Sequence, residues 1–458
     1  MNNAFSRRFL LCILPVLWLA SPATAANFLV QITPPGSITA VCANYGLTLL
    51  NSVSASNTVF LVSAPDPVSA ALVAQIQADP SVATFEPDTP VVWTEIPAGA
   101  AAVTSPAALQ SAILDTNVIQ YYGAPVRESY VLQPAASLAN IAPAQGFLRS
   151  PAPPGIVAVI DTGVDPGHPA LQGVLLPGYD FTRNQPGASE LADLSQSTVA
   201  ILDQSTVAIL DQSTVAILDQ IYSLVLNQST VAILDQSTVA ILDGTQLPSD
   251  FGHGTMVAGL IHLVAPTAPI LPLKAFSADG SANLSNIVSA IYYAVDNNAK
   301  VINMSFSSPL SSPSLAGAIQ YARNNNVICV ASAGNDGLNE VVYPAAYQGV
   351  IGVTSTNLLD QRSLFSNYAS FDLAAPGEAL VTTYPGGHYA GVWGTSFSTA
   401  LASGTVALLS EVYPGIHQGT AQRALQSGPN VPIDDFSMDA NDCRLDVLAA
   451  LMYLFEDH

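Results

Sequence analysis

The chain predicts an α/β fold: a doubly wound parallel sheet, preceded by a small α+β segment and interrupted by an octapeptide-repeat insertion. Three observations carry that expectation. Apolar runs such as Ile156-Val157-Ala158-Val159-Ile160 lack polar alternation, as strands buried on both faces of a parallel sheet require. From Gly155 onward such runs alternate with helical stretches, the pattern of stacked βαβ units. Upstream, residues 27–88 read β-α-β-β-α-β, the split βαβ arrangement. With 458 residues, half of them hydrophobic, the chain is long enough for two or three domains.

The elements follow in order. Arg7 and Arg8, the apolar run Phe9 to Ala20 and the small residues Ala23-Thr24-Ala25 form an export signal. Ser6-Arg7-Arg8-Phe9-Leu10 also hints at its twin-arginine variant. The apolar run is too short to cross a hydrocarbon layer of about 30 Å, which takes about 20 residues, and no later stretch is longer. The mature product is therefore expected to be secreted, extracellular or periplasmic, and free of the membrane once residues 1–25 are removed.

Residues 26–88 form the small segment. Phe28 to Ile32, Leu47 to Val53, Thr58 to Ser63 and Val82 to Phe85 read as strands. Ser37 caps a helix running to Asn44; Asp66-Pro67 sets the cap and first-turn proline of a second, with Val68, Leu72 and Ile76 on one face. Thr89 to Pro106 is rich in Ala and Pro, an exposed linker where cleavage is easy. Residues 89–135 are read as this linker and the start of the core, and 136–458 as the main domain.

In that domain Ile156 to Ile160 ends at Asp161, at a strand's carboxyl end, where open α/β sheets place their chemistry. Ile270 to Phe276, Val301 to Met304, Val327 to Ala331 and Val350 to Thr354 repeat the strand signature. Ser285 to Asn297 and Ser314 to Asn324 read as helices, and Val447 to Phe455 as a terminal one. Residues 196–243 are an insertion of eight-residue units. Five read Gln-Ser-Thr-Val-Ala-Ile-Leu-Asp, Gln220 to Asn227 is a degenerate copy, and Gln110 to Asp115 is a shorter echo. An even period suits a β-meander. The absence of Gly and Pro between Ala188 and Asp243 favours a long helix or helical hairpin instead, because tight turns use those residues. The repeat is then either an arm for self-association or substrate access, or a tolerated expansion of a surface loop.

Thirty-three acidic against 11 basic residues give a net charge of −22. Nucleic acid is excluded as a partner, since neutralising phosphates needs clustered Lys and Arg. Four cysteines make no disulfide framework. Cys12 and Cys42 lie in segments expected to be lost, and Cys329 and Cys443 could pair in an oxidising compartment. His168, His262, His388 and His417 are scattered.

Three short motifs concentrate the chemistry: Asp161-Thr162-Gly163, His253-Gly254-Thr255 and Gly394-Thr395-Ser396. Each alone is common. In this order, with helical runs after His253 and Ser396, they are specific, and a serine at a helix N-terminus sits where developing negative charge is favoured. Together with Val301-Ile302-Asn303-Met304-Ser305, Ala331-Ser332-Ala333-Gly334-Asn335-Asp336 and Ala374-Ala375-Pro376-Gly377, they make residues 155–446 resemble the subtilisin-like serine peptidases, the subtilase family. The run Asp79 to Asp88 similarly resembles the end of that family's inhibitory propeptides.

The resemblance implies a subtilisin-like fold and a serine endopeptidase acting on protein or peptide substrates, with Asp161 orienting the imidazole, His253 as base and acid, and Ser396 as nucleophile. It implies Asn335 as oxyanion donor; read from its residues alone, Gly334-Asn335-Asp336-Gly337 is simply turn-rich. Ser305, Phe306 and Ser307 would bind the substrate backbone, and Ala331, Ser332, Ala333 and Gly334 would wall the specificity pocket. The propeptide would be an intramolecular inhibitor of the precursor. The chemistry needs no cofactor. Many relatives hold structural calcium, for which Asp165, Asp180 and Asp193 are candidates, although a solvated surface suits these carboxylates better.

Three departures from the family pattern stand out. Met256 replaces a frequent histidine, Phe397-Ser398-Thr399-Ala400-Leu401 replaces Met-Ala-Ser-Pro-His, and Ser307 replaces a usual glycine, which narrows a subsite. None removes a catalytic atom. The alternative is an idle scaffold of the same fold whose repeat arm binds a partner.

Overall fold

The computed structural model describes residues 26–34, 36–54, 58–65, 67–92, 115–147, 154–194, 231–233, 248, 250–369, 371, 373–431 and 443–457. The export signal, most of the linker and most of the repeat lie outside these residues.

The first unit runs β1 (Asn27–Ile32), α1 (Ile38–Tyr45), β2 (Thr48–Ser52), β3 (Val59–Ser63), α2 (Ala70–Gln77) and β4 (Val82–Pro87). Its antiparallel sheet has the order β2-β3-β1-β4, as the split βαβ reading expects. Side chains on β1 alternate between faces: Phe28, Val30 and Ile32 pack against Val41 and Ile76 of the two helices, whereas Leu29 faces the second unit. One boundary differs from expectation. α2 starts at Ala70, where Ser69 Oγ accepts from the Leu72 amide at 3.1 Å; the expected cap, Asp66, lies outside the described residues.

The second unit contains β5 (Pro90–Val92), the hairpin β6 (Val118–Tyr121) and β7 (Ala124–Arg127), and the short helices α3 (Glu128–Val131), α4 (Pro134–Leu138) and α5 (Ile141–Gln145). It continues with β8 (Ile156–Asp161), β9 (Tyr179–Asp180), β10 (Gln185–Pro186), β11 (Val231–Ile233), α6 (His253–Val264), β12 (Ile270–Lys274), β13 (Ser281–Asn283), α7 (Leu284–Asp296), β14 (Ala299–Met304) and α8 (Pro313–Asn324). It closes with β15 (Ile328–Ser332), β16 (Val350–Thr356), β17 (Leu373–Pro376), β18 (Leu380–Tyr384), β19 (His388–Val392), α9 (Thr395–Val412), α10 (Gln418–Leu425), β20 (Cys443–Arg444) and α11 (Val447–Asp457).

The main sheet has the order β10-β9-β12-β8-β14-β15-β16-β17-β20. From β9 to β20 every pairing is parallel. The expected all-parallel sheet is corrected at one edge, where β10 pairs antiparallel with β9. The few residues joining them permit only an antiparallel return. On β8, Val157 and Val159 face α6 and α9, and Ala158 and Ile160 face α7 and α8. Burial on both sides is why the strand is apolar throughout. The chain moves from β8 outward to β12 and then back across to β14, so the strand order reverses at β8, and Asp161 stands at the carboxyl end of that switch point.

The two units are joined by carboxylates at helix starts. Glu86 accepts from Ser312 Oγ at 3.0 Å and from the Ser314 amide at 2.6 Å, at the N-terminus of α8. Asp88 accepts from the amide and hydroxyl of Ser285, both at 2.8 Å, in the first turn of α7. Each answers amides that a helix start leaves without an acceptor. The expected free linker is corrected at its beginning: β5 pairs antiparallel with β13, Val91 opposite Ala282, because the edge strand offers backbone groups to pair with.

The helical expectation for the repeat is corrected where it is described: Val231–Ile233 is a strand that pairs antiparallel with β19. The β-branched residues of the octapeptide suit an edge strand. Among the described residues Cys42, Cys329 and Cys443 form no disulfide, so the considered bridge between Cys329 and Cys443 is not formed.

Candidate active site

Asp161 ends β8 and His253 opens α6. Their approach depends on a residue without a side chain: a Cβ at Gly254 would stand 2.0 Å from the Gly163 carbonyl oxygen, so the helix start can close on the strand end only with glycine there. The result is a buried pair, His253 Nδ1 lying 2.9 Å from Asp161 Oδ1 and 3.1 Å from Oδ2. An ionised carboxylate only accepts, so Nδ1 carries the proton. The Thr162 amide donates to Asp161 Oδ1 at 2.7 Å.

Ser396 is the second residue of α9, after Gly394 with a φ of 146°. α9 packs along α6: a Cβ at Gly404 would lie 2.9 Å from Val264 Cβ. The same packing sets the His253 ring 5.4 Å from that of Phe397. The Ser396 hydroxyl donates to the Ser305 carbonyl at 3.1 Å, and Ser305 Oγ returns a bond to the Ser396 carbonyl at 2.8 Å. Behind them, Asn303 Nδ2 donates to Ser305 Oγ at 2.9 Å, and Ser403 Oγ to Asn303 Oδ1 at 2.8 Å. This buried chain ties β14 to the interior of α9.

Asn335 is buried beyond β15. Its Oδ1 accepts from the amide and hydroxyl of Thr395, both at 2.9 Å, which fixes the carboxamide with Nδ2 beside Gly394. Ser305, Phe306 and Ser307 continue β14, while Ala331 and Ser332 end β15, followed by Ala333 and Gly334. All seven are buried, and the two segments run side by side, with Met304 opposite Ala331. Asn367 braces the Asn335 turn: its amide donates to the Gly334 carbonyl at 3.0 Å, and its Oδ1 accepts from Asp336 and Leu338 amides at 3.1 and 2.9 Å.

The carboxylates considered for calcium are not the solvated ones expected. Asp165 accepts from the Gly167 and Gly386 amides, each at 2.8 Å. Asp180 accepts from Arg183 at 2.9 Å. Asp193 binds Arg183 and, at 2.8 Å, Lys274; burial pushes its carboxyl up, but these cations hold it below the ordinary value. With their oxygens so engaged, the three do not fit a cation site. Among the described residues no three His, Cys, Asp or Glu are grouped to hold a metal ion.

Two features were not legible as parts of the site. One is β13, whose edge holds β5 and lies on the same end of the sheet. The Asp279-Gly280 turn before it was the available signal. The other is Glu190, fully buried between the Asp161 loop and α6. It accepts from Thr162 Oγ1 at 2.5 Å, the Gly252 amide at 2.7 Å, the Thr255 amide at 3.2 Å and Thr255 Oγ1 at 2.5 Å. Burial pushes its carboxyl up to about 7, despite these hydroxyls and Lys274 favouring the charge, and Asp161 adds to the rise. Nothing around Ser189-Glu190-Leu191 marks it in the sequence.

The Peptidase S8 model, described as the subtilase family, matches residues 155–428. A thermophilic serine proteinase of Bacillus sp. (strain AK1) is 32% identical over 265 residues, 56% of this chain and 51% of that protein. Thermitase of Thermoactinomyces vulgaris is 30% identical over 265 residues, 56% of this chain and 74% of that protein. Subtilisin BL of Lederbergia lenta is 37% identical over 173 residues, 36% of this chain and 64% of that protein. The chain thus spans about half of the first of these relatives and somewhat under two thirds of the subtilisin. A solved structure of a cold adapted subtilisin-like serine proteinase aligns with 64% of this chain and 88% of its own at 24% identity, with a TM-score of 0.48. Because the matched family model spans more than half of the sequence, this chain belongs to the subtilase family.

Proposed function

We propose that the chain is the precursor of an exported serine endopeptidase that hydrolyses peptide bonds through an acyl-enzyme, with Asp161, His253 and Ser396 as its triad. The observation that carries this reading is the 2.9 Å Asp161–His253 pair at the start of α6, packed against the helix whose second residue is Ser396. Family membership supports it independently.

A serine hydroxyl is a weak nucleophile until a neutral base removes its proton. Ser396 Oγ would attack the scissile carbonyl as its proton passes to His253 Nε2. Asp161 would hold Nδ1–H, which fixes the tautomer and stabilises the imidazolium; His253 would then protonate the leaving amine, and water would release the acyl group. The hydroxyl proton now on the Ser305 carbonyl must turn to the imidazole, a tightening that belongs to the substrate complex. Asn335 Nδ2 and the Ser396 amide, in the positive first turn of α9, are the proposed oxyanion donors. The substrate would bind extended, as an added strand on β13 and Ser305–Ser307, with Ala331–Gly334 as the pocket wall.

The first unit acts in this reading as the inhibitory propeptide: its tail caps α7 and α8, and β5 occupies β13 as a substrate strand would. Export rests on residues 1–25. Among the described residues no helix is long and apolar enough to cross a membrane. The proposed chemistry uses only the chain's own side chains, a backbone amide and water.

The idle-scaffold reading draws on one observation, the Ser396 hydroxyl turned to Ser305. Incubation of an unfolded protein substrate with the processed wild type and with Ser396→Ala separates the two. Cleavage by the wild type alone is expected; a folded, processed wild type that leaves the substrate intact contradicts the peptidase reading.

A further inference from the structure

We propose that Glu190 is a positioning residue for the Asp161–His253 pair, clamping the residue after Asp161 to the first turn of the helix that begins with His253. Its two oxygens divide the work. Oε1 takes the Thr162 hydroxyl and the Gly252 amide, and Oε2 takes the Thr255 amide and hydroxyl. Thr162 completes the bridge by accepting from the Gly254 amide at 3.0 Å. One carboxylate, from a segment that supplies neither member of the pair, thus satisfies the amide of the N-cap residue and one first-turn amide of α6 and ties the helix to the end of β8.

The charge is suited to its place. The start of α6 is the positive end of the helix dipole, and hydrogen bonds to an ionised acceptor are stronger than neutral ones. The charged or titratable groups facing Glu190 are Asp161 from β8, Lys274 from β12 and Tyr384 from β18. Lys274 Nζ is fully buried and donates to the Thr162 carbonyl at 2.6 Å, so the cation braces the same residue from its other side. Protonating Glu190 turns one acceptor oxygen into a donor facing hydroxyls and amides that all donate to it. The clamp therefore opens with a proton of its own, separate from the proton on His253.

The kinetic consequence rests on the peptidase reading; the geometric one does not, and two readouts keep them apart. In the first, kcat and KM of the processed enzyme are measured on a peptide anilide between pH 5 and 9 in these variants. Glu190→Gln is expected to lower kcat about tenfold, in the range of losses from outer-shell partners, with KM within about twofold. The acid limb of kcat/KM, steeper than one proton in the wild type, should fall to one proton in the variant. Thr162→Val should behave like Glu190→Gln, and Thr162→Ser, which keeps the hydroxyl, should restore wild-type kcat. In the second, the low-field proton resonance of His253 Nδ1–H is read in the Ser396→Ala precursor with and without Glu190→Gln. Exchange broadening in the double variant supports the clamp even if no peptide is ever cleaved. A folded Glu190→Gln protein with wild-type kcat and acid limb, or with an unbroadened resonance, overturns it.

Discussion

Asn335 shows how a side chain can be prepared for one role by spending its other end. Its oxygen is fixed by two bonds from Thr395, so the amide nitrogen is held without reorganisation for the proposed oxyanion role. Asn335→Ala is expected to lower kcat about 10²–10³-fold with a small change in KM, a magnitude established for an oxyanion donor in this family; steady-state kinetics on the processed enzyme checks it. His262 makes a second residue-level prediction. Buried on α6, with neither ring nitrogen hydrogen-bonded among the described residues, its imidazole is pushed down to about 4 by burial, with His168 adding to the shift. The fold therefore holds it neutral, whereas the unfolded chain takes up the proton below about 6.5. Stability should fall as pH drops from about 6.5 to 4, by about 3 kcal/mol from this group at the end of the window. His262→Leu should flatten that decline; denaturant midpoints of the Ser396→Ala precursor across the window measure it.

At the scale of elements, what was legible followed from local pattern. Continuous apolar runs marked β8, β14, β15 and β16, whereas the close approach of Gly254 to the Gly163 carbonyl joins two distant segments and was not read from the motifs. The antiparallel edge at β10, the strand at Val231–Ile233 and the pairing of β5 with β13 were not legible. β10 is a two-residue return too short to carry a pattern, and the last two depend on a free sheet edge elsewhere in the chain, which no local window contains. Glu190 escaped for the same reason: its partners Thr162, Gly252 and Thr255 come from two other segments. The caps at α7 and α8 are the element-level features most open to test. Glu86→Ala and Asp88→Ala together remove the first unit's carboxylates from both helix starts and should loosen that unit. The precursor should then release activity sooner than wild type, in a progress curve after purification at neutral pH. Burial raises the Asp88 carboxyl above its ordinary value, although both bonds from Ser285 favour its charge, so burying this group favours docking most in acid and less as pH rises through that raised value. Asp88→Asn should remove that part of the pH dependence of activation.

Across the whole molecule, the sheet's strand order brings the candidate residues to one end. The reversal at β8 places Asp161 beside the ends of β14 and β15, and the packing of α9 on α6 carries Ser396 to the same place. The first unit is bound at the starts of α7 and α8, and β5, which follows it, lies along β13, the proposed substrate edge. The central claim, that Ser396 is a nucleophile activated by His253 and Asp161, is tested most directly by intact mass and peptide mapping after treatment of the processed protein with a fluorophosphonate. The account predicts one adduct, on Ser396, lost in Ser396→Ala and strongly slowed in Asp161→Asn. A folded wild type that takes no label, or that takes it on another residue, would contradict it.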